Sequence, residues 1–402
     1  MGNIVIIGAG QAAGQCVATL KKLGCTSEII LIGEESHPPY QRPPLSKSFL
    51  EGKVGLERVY MKNRDFYEEN EVEFYSDTLV YEIDREKKKV RTSCGKEIEF
   101  EKLVIATGSR ARELEIEGKQ LGNIYYLRTI DDVEKIKEQM SVSQNLSIIG
   151  AGYIGLEVAA VASELAMNVS IFEMAERSMN RTVDKKISEH FEDLHKRNGV
   201  NFYFQSNIEK LQGETSIDGV KLDDGTLIPT DILIIGIGII PNQELAENAG
   251  IDCNNGILVN DKGITSDQSI FACGDCTNHP NKFLNKNIRL ESVQNALEQS
   301  KVVAANLMGQ EENYEVIPWF WSDQYNQKLQ IVGIPEEYDE VVKRESLEGF
   351  SLFYLRNGTI ISVTTVNNPK EFLLSKKLVE KKVKISSDIL RNTSNDLNEL
   401  VK

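Results

Sequence analysis

The chain opens with a continuous apolar run, NIVIIG, and then changes period. QAAGQCVATLKKLG places its apolar residues at helical spacing, and EIILIGEE returns to an apolar run that ends in acids. Continuous apolar runs read as strands buried on both faces of a parallel sheet, and the helical segment between them reads as the crossover. Residues 3–34 are therefore predicted to form one strand–helix–strand unit. The plan recurs at 145–173, where NLSIIG is followed by a helix through Ala166 and then by NVSIFE. KLVIATGSRAR (102–112), DILIIGIGIIPN (231–242) and SIFACGDCT (269–277) are further apolar strands that run into glycines. Residues 81–100, YEIDREKKKVRTSCGKEIEF, alternate and turn as antiparallel hairpins with solvated faces. From about Val316 the texture changes again. PWFWSDQY, LQIVG, EVVKRE and GFSLFYLRNGTIISVTTVN read as an antiparallel sheet, followed by lysine-rich helical sequence.

The two strand–helix–strand units share a turn. The first is Gly8-Ala9-Gly10-Gln11-Ala12-Ala13 and the second is Gly150-Ala151-Gly152-Tyr153-Ile154-Gly155, 150 − 8 = 142 residues later. The first glycine of such a turn permits the tight bend, and the second lets backbone approach a pyrophosphate. The third position, Ala13 or Gly155, must be small so that helix packs on strand. The pyrophosphate then sits on a helix N-terminus, where unpaired N–H groups favour an anion. An acid at the end of the second strand binds a ribose hydroxyl. Glu34 lies 34 − 8 = 26 residues after the first turn and Glu173 lies 173 − 150 = 23 after the second. Two complete units predict two dinucleotide sites. A carboxylate at Glu173 repels a 2′-phosphate and favours NADH over NADPH, although Arg177 and Arg181 close by weigh the other way. The glycines at the other strand ends, including Gly108, Gly236 and Gly274, lie where ligands bind in open α/β sheets.

Composition narrows the classes. A chain of 402 residues is expected to hold two or three domains. The formal charge of 46 − 61 = −15 argues against nucleic acid or an anionic membrane as partner. The longest strongly apolar run, Ile232 to Ile240, falls far short of the roughly 20 residues of a membrane span. The chain begins directly with a strand, so no signal peptide is expected. Six scattered cysteines without a framework point to a reducing cytoplasm, and no metal site is expected. Cys273-Gly274-Asp275-Cys276 is formally a C-x-x-C. It reads better as a buried strand end and a small turn residue than as a redox dithiol.

Residues 37–49, HPPYQRPPLSKSF, hold four of the ten prolines between Pro38 and Pro44. Proline fixes φ and removes a donor, so this is a stiff loop that places Arg42 and Lys47. The only tryptophans, Trp319 and Trp321, are two apart and share a face if the segment is a strand.

Taken in order, GAGQAAGQ, PPYQRPPLSK, ATGSRAR, GAGYIGLEVAA, FACGDCT, RLESVQNALEQ and PWFWSDQY resemble the FAD-dependent NADH:ferredoxin reductases of bacterial oxygenase systems. These are glutathione-reductase-like flavoproteins that serve cytochrome P450s or ring-hydroxylating dioxygenases. The resemblance runs nearly end to end. It implies an α/β fold with two Rossmann-like domains and a C-terminal α+β domain. The FAD domain would be 1–110 plus 236–315, the NAD domain 111–235, and the C-terminal domain, at the electron-acceptor interface, 316–402. Gly8, Gly10, Ala13, Glu34, Ala106 and Gly108 would bind FAD, with Asp275 on its ribityl chain. A helix beginning near Asn295 would aim its N-terminus at the flavin's pyrimidine edge, and Val293 would bind FAD. Gly150, Gly152, Tyr153, Ile154, Gly155, Glu173 and Gly236 would hold NADH.

In related disulfide reductases the segment after the first unit carries redox cysteines, but this chain has none between Cys25 and Cys94. The family instead has a lysine beside flavin N5 paired with a glutamate, and Lys47 and Glu157 match those positions. Arg42 is expected either on the FAD phosphates or on its own loop. Trp319 is expected in the core or facing the flavin, and Trp321 nearer the partner. The resemblance implies a [2Fe–2S] ferredoxin as partner, and through it a P450 or dioxygenase. A rubredoxin reductase and an NADH-sensing flavoprotein of the apoptosis-inducing-factor type are the alternatives. Residues 317–402 hold 12 basic and 12 acidic residues, so the negative charge lies upstream. Within them Lys376, Lys377, Lys381, Lys382 and Lys384 form either a solvated helix face or, with Arg289, a ferredoxin-steering patch.

Overall fold

The computed structural model describes residues 2–347 and 349–401. The chain divides into two compact units. The first holds residues 1–42, 55–110 and 240–318, and the second 43–54, 111–239 and 319–402.

The first unit is built on a five-stranded parallel sheet. Its spatial order is Ile270–Ala272, Lys102–Ile105, Ile4–Ile7, Ile29–Ile32, Val72–Tyr75. The strands are β-branched and almost wholly buried, as a sheet covered on both faces requires. On one face the helices Gln11–Lys22 and Val293–Leu307 pack together over Val17, Leu20, Leu31, Val104 and Val303. The other face is closed by an antiparallel three-stranded sheet, Val80–Asp84, Lys89–Thr92 and Glu97–Glu99, through Ile83, Val90 and Ile98. That sheet is the hairpin structure expected at 81–100.

The second unit repeats the plan. Its parallel order is Asn201–Phe204, Asn168–Glu173, Asn145–Ile149, Ile232–Ile235, Ile124–Tyr126. In both sheets the first strand of the repeated unit is central, with its partner strand on one side. The glycine turn thus leaves from the point where strand order reverses, where α/β sheets bind ligands.

The second unit also contains the antiparallel sheet expected near the C-terminus. Its order is Trp319–Gln324, Gln327–Gly333, Thr359–Val366, Phe350–Arg356, Glu340–Glu345. The Asn357-Gly358 turn has positive φ at both residues (50° and 72°), matching the right-handed twist of the strands it joins. Helix Pro369–Glu380 lies over this sheet, begun by Asn368 and a proline at its first turn.

Residues 43–54 and 319–402 belong to one compact unit with 111–239, and strand Trp319–Gln324 is tied by side-chain bonds to helices of that unit. Two expectations shift. The helix expected near Asn295 starts at Val293, because Ser292 caps it by accepting from Asn295 N. The lysine run is not one helix face, since the helix stops at Glu380. Lys381 is its C-cap, and Lys382 takes φ 48° in the turn beyond. Among the described residues, no helix is long and apolar enough to cross a membrane.

Candidate functional site

The first glycine turn sits in the first unit. Gly8 has φ 98°, and a Cβ there would lie 2.3 Å from the carbonyl oxygen of Ala106. The turn therefore closes directly onto the end of the neighbouring strand, and only glycine permits it. A Cβ on Gly10 would meet nothing within 4 Å, so the space before helix Gln11–Lys22 is open. Gly10 caps that helix without a side-chain bond. Ala13 is fully buried against the sheet, as the small third position requires. Glu34 is exposed and makes no hydrogen bond or ion pair among the described residues, which leaves both oxygens for a ribose.

The second turn has the same form. Gly150 has φ 105°, and its Cβ would lie 2.4 Å from the Gly236 carbonyl oxygen. Gly152 faces open space and leaves helix Tyr153–Glu164 uncapped by any side chain. By contrast, the helices starting at Ile130, Lys185, Val293 and Pro369 all carry a side-chain cap. The two uncapped long helices are those that follow glycine turns, so their first N–H groups are left for an anion. Both turns fit a pyrophosphate. Ile154 is exposed at the helix start, and Tyr153 packs on Phe320 with ring centroids 4.5 Å apart. Glu173 differs from Glu34. Its Oε2 accepts from Ala151 N at 2.9 Å and its Oε1 from Ala175 N at 2.8 Å. Arg177 is turned to its own loop, donating to Val183 O and Ser188 Oγ, and so does not offset the Glu173 charge.

Asp275 accepts from Ser109 Oγ at 3.0 Å. Its turn is held from beneath by Gln299, whose Oε1 accepts from Gly274 N at 2.8 Å and from Thr277 Oγ1 at 3.0 Å. Gln299 is buried in helix Val293–Leu307, and only the fold shows that it supports the turn 25 residues earlier. The flanking thiols are free. Burial pushes Cys276 up to about 11 and Cys273 well above the usual thiol range. Neither is poised as a thiolate, as the strand-end reading expects.

The proline loop divides. Arg42 is in the first unit and donates to Glu35 Oε1 and to the Tyr40 hydroxyl, each at 3.0 Å. Burial alone would lower its basicity, but Tyr40, Glu35 and Asp275 outweigh that and hold the charge. Both of these groups lie within seven residues of it along the chain. Lys47 is in the second unit, just beyond the 3-10 turn Pro43–Ser46. Its Nζ donates to Glu157 Oε2 at 2.7 Å and to the Pro43 carbonyl at 3.3 Å. Glu157, on helix Tyr153–Glu164, is only 4% exposed. It accepts two further bonds, from Ser46 Oγ at 2.5 Å and from Ser322 Oγ at 2.6 Å. A buried carboxylate is tolerated when it is paired and its lone pairs are filled. Neither serine was readable as its partner, because Ser46 lies 111 residues from Glu157 and Ser322 lies 165 away.

Trp319 and Trp321 share a face, with ring centroids 5.5 Å apart. Phe372 meets Trp319 edge-on, and Lys376 Nζ lies 3.9 Å from the Trp319 ring centroid. Lys376 is thus placed on an aromatic face. Lys381 and Lys382 are exposed. Arg289 is paired with Glu291 and mostly buried, so it does not present a free charge as a steering patch requires.

Comparison with known proteins places this geometry. Residues 2–300 match the pyridine nucleotide-disulphide oxidoreductase family model, and residues 319–401 match the reductase C-terminal model. The chain is 38% identical to putidaredoxin reductase CamA of Pseudomonas putida, over 99% of this chain and 96% of that protein. It superposes on the reductase in the covalent putidaredoxin reductase–putidaredoxin complex with a TM-score of 0.96, at 37% identity, covering 99% of this chain and 98% of that one. The ferredoxin reductase for the CYP199A2 system from Rhodopseudomonas palustris matches equally well, with a TM-score of 0.96, 36% identity and all of both chains.

Proposed function

The chain belongs to the pyridine nucleotide-disulphide oxidoreductase family, and from that premise we propose that it is an NADH-dependent ferredoxin reductase. It passes electrons from NADH through FAD to a [2Fe–2S] ferredoxin that feeds a P450 or dioxygenase. When bound, FAD accepts a hydride and releases its two electrons singly, which is chemistry the protein itself cannot supply. The carrying observation is the Lys47–Glu157 pair. The loop that could hold a redox disulfide holds an ion pair on a buried carboxylate, and burial disfavours the thiolate form of both cysteines of the C-x-x-C. Electrons then have no internal disulfide to reduce and pass to an external one-electron carrier.

The residues divide the work. The Gly8 and Gly150 turns, each followed by a helix with no side-chain cap, would hold two pyrophosphates. Glu34 and Glu173 would hold ribose hydroxyls, and Asp275, bonded to Ser109, would hold the ribityl chain. Lys47 would be the cation for the isoalloxazine, where a positive charge favours the more anionic reduced form. Glu157 keeps that ammonium in one orientation. Trp319 and Trp321, which share a face, would be the aromatic pair turned to flavin and partner. The enzyme works in the cytoplasm, where NADH is supplied and a reducing environment suits six unpaired cysteines.

The test is NADH-dependent cytochrome c reduction, assayed with each candidate carrier. Turnover that requires a [2Fe–2S] ferredoxin is the expected result. Equal turnover with rubredoxin, or reduction of a disulfide substrate without any carrier, would overturn the assignment. Lys47→Ala and Glu157→Gln should each retain FAD and slow its reduction by NADH in stopped flow.

A further inference from the structure

Glu157 is held by more than its neighbours on the proline loop. Its Oε1 accepts from Ser322 Oγ at 2.6 Å. Ser322 Oγ accepts from Gln324 Nε2 at 3.2 Å. Gln324 Oε1 lies 2.9 Å from His195 Nε2, and His195 Nδ1 lies 3.3 Å from the Tyr325 hydroxyl. Ser322, Gln324 and His195 are all completely buried. Ser322 and Gln324 alternate along strand Trp319–Gln324, so both project from the face that also carries Phe320. The tryptophans occupy the opposite face.

The bonding allows one arrangement of hydrogens. Glu157 as a carboxylate only accepts, so Ser322 donates to it and must accept from the Gln324 amide nitrogen. The Gln324 oxygen then accepts, which puts the His195 proton on Nε2. His195 Nδ1 is left to accept from Tyr325. Each donor therefore points along the chain toward Glu157. Hydrogen bonds aligned in this way polarise one another. Burial lowers His195 to about 4, which keeps this neutral tautomer at physiological pH. The amide in the middle transmits orientation but is neither acid nor base, so the chain is not a proton relay.

We propose that Ser322, Gln324 and His195 are positioning residues for the Lys47–Glu157 pair, holding Glu157 Oε1 so that Oε2 stays turned to Ser46 and Lys47. The strand that presents the tryptophans thus also sets the orientation of the lysine. The inference rests on the reading that this pair acts in flavin reduction.

Two measurements on the holoenzyme test it. In nitrogen-15 spectra of histidine-labelled protein between pH 6 and 8, His195 should be the neutral Nε2–H tautomer. An Nδ1–H tautomer or an imidazolium in that range would overturn the chain. In stopped flow, Gln324→Met and Ser322→Ala should slow flavin reduction about tenfold, with half-saturating NADH changed by less than about twofold. Ser322→Thr, which keeps the hydroxyl, should restore most of the rate. Wild-type rates in both Gln324→Met and Ser322→Ala would sink the proposal. If Lys47→Ala and Glu157→Gln are slow while those two are not, the chain alone is wrong. If none of the four is slow, the reading of the pair itself has failed. Should Gln324→Met not fold, the wild-type tautomer and the Ala–Thr contrast at Ser322 still decide the question.

Discussion

The two glycine turns carry one sequence plan in two settings. Each closes on a strand-end carbonyl, at 2.3 Å in one case and 2.4 Å in the other for a Cβ that neither glycine has. Each leaves its helix uncapped. They part at the acid. Glu34 is exposed and, among the described residues, unbonded, whereas Glu173 is bound by two backbone N–H groups, one of them in its own glycine turn. They part again at the third position. A Cβ at Gly155 would lie 2.3 Å from the Gly150 carbonyl oxygen, while Ala13 accommodates one. A permanently held cofactor can rely on many contacts around a free acid. A coenzyme that must come and go is better served by an acid fixed before binding, since less ordering is left to be done.

The sharpest way to break this comparison is at the first glycines. Gly8→Ala should yield protein purified without flavin absorbance, and FAD affinity should fall by about a hundredfold or more, since the backbone must move. Gly150→Ala should keep its flavin and lose NADH, with KM raised about tenfold or more. Loss of flavin in Gly150→Ala, with retention in Gly8→Ala, would reverse the assignment of the two turns.

The units also contrast in their buried histidines. His279 in the first and His195 in the second are both lowered to about 4 by burial. Such a group binds fewer protons folded than unfolded. Its stabilising contribution is complete above the ordinary value of 6.5 and is lost as pH falls from there toward about 4. Acid denaturation should therefore begin below about pH 6.5. Neither ring nitrogen of His279 has a partner among the described residues, and its ring meets Tyr314 edge-on. His279→Phe should therefore hold or raise stability at pH 7 and flatten the acid loss. His195→Phe strands Gln324 and should cost about 1–3 kcal/mol at pH 7. Urea midpoints at pH 5 and 7 measure both. Equal losses for the two would mean that His279 has an unrecognised partner.

A smaller effect is expected at Glu173. Removing its charge in Glu173→Ala should raise KM for NADH and shift the NADPH:NADH preference about tenfold toward NADPH. Glu34→Ala should leave that ratio alone. A wild type that already uses both coenzymes equally would refute the role given to Glu173. The least effect belongs to the thiols. Cys273→Ser with Cys276→Ala should keep most turnover, and reductive titration of wild type should consume two electrons per FAD. Two additional equivalents would revive a redox dithiol.

Legibility in the sequence followed the range of the interactions. Both parallel sheets, the glycine turns, the 81–100 hairpins and the C-terminal antiparallel sheet were readable, because strand period and turn chemistry are set by neighbours in the chain. The Lys47–Glu157 pair was legible only through resemblance, and its geometry only through folding. Packing decided the rest. Ser46 and Ser322 meet on one carboxylate across 111 and 165 residues because strand Trp319–Gln324 and the 3-10 turn converge on helix Tyr153–Glu164. The proline loop divides between units after Arg42, although its sequence reads as one stiff piece. Arg289 is paired with Glu291, and Lys381 and Lys382 lie just beyond a helix that ends at Glu380. Sequence alone determined where the chain bends and which faces are apolar, because those follow from local sterics and burial. Which charges meet, and which stay free, was decided only by tertiary structure, because hydrogen bonds and ion pairs act over about 3 Å in space whatever their separation along the chain.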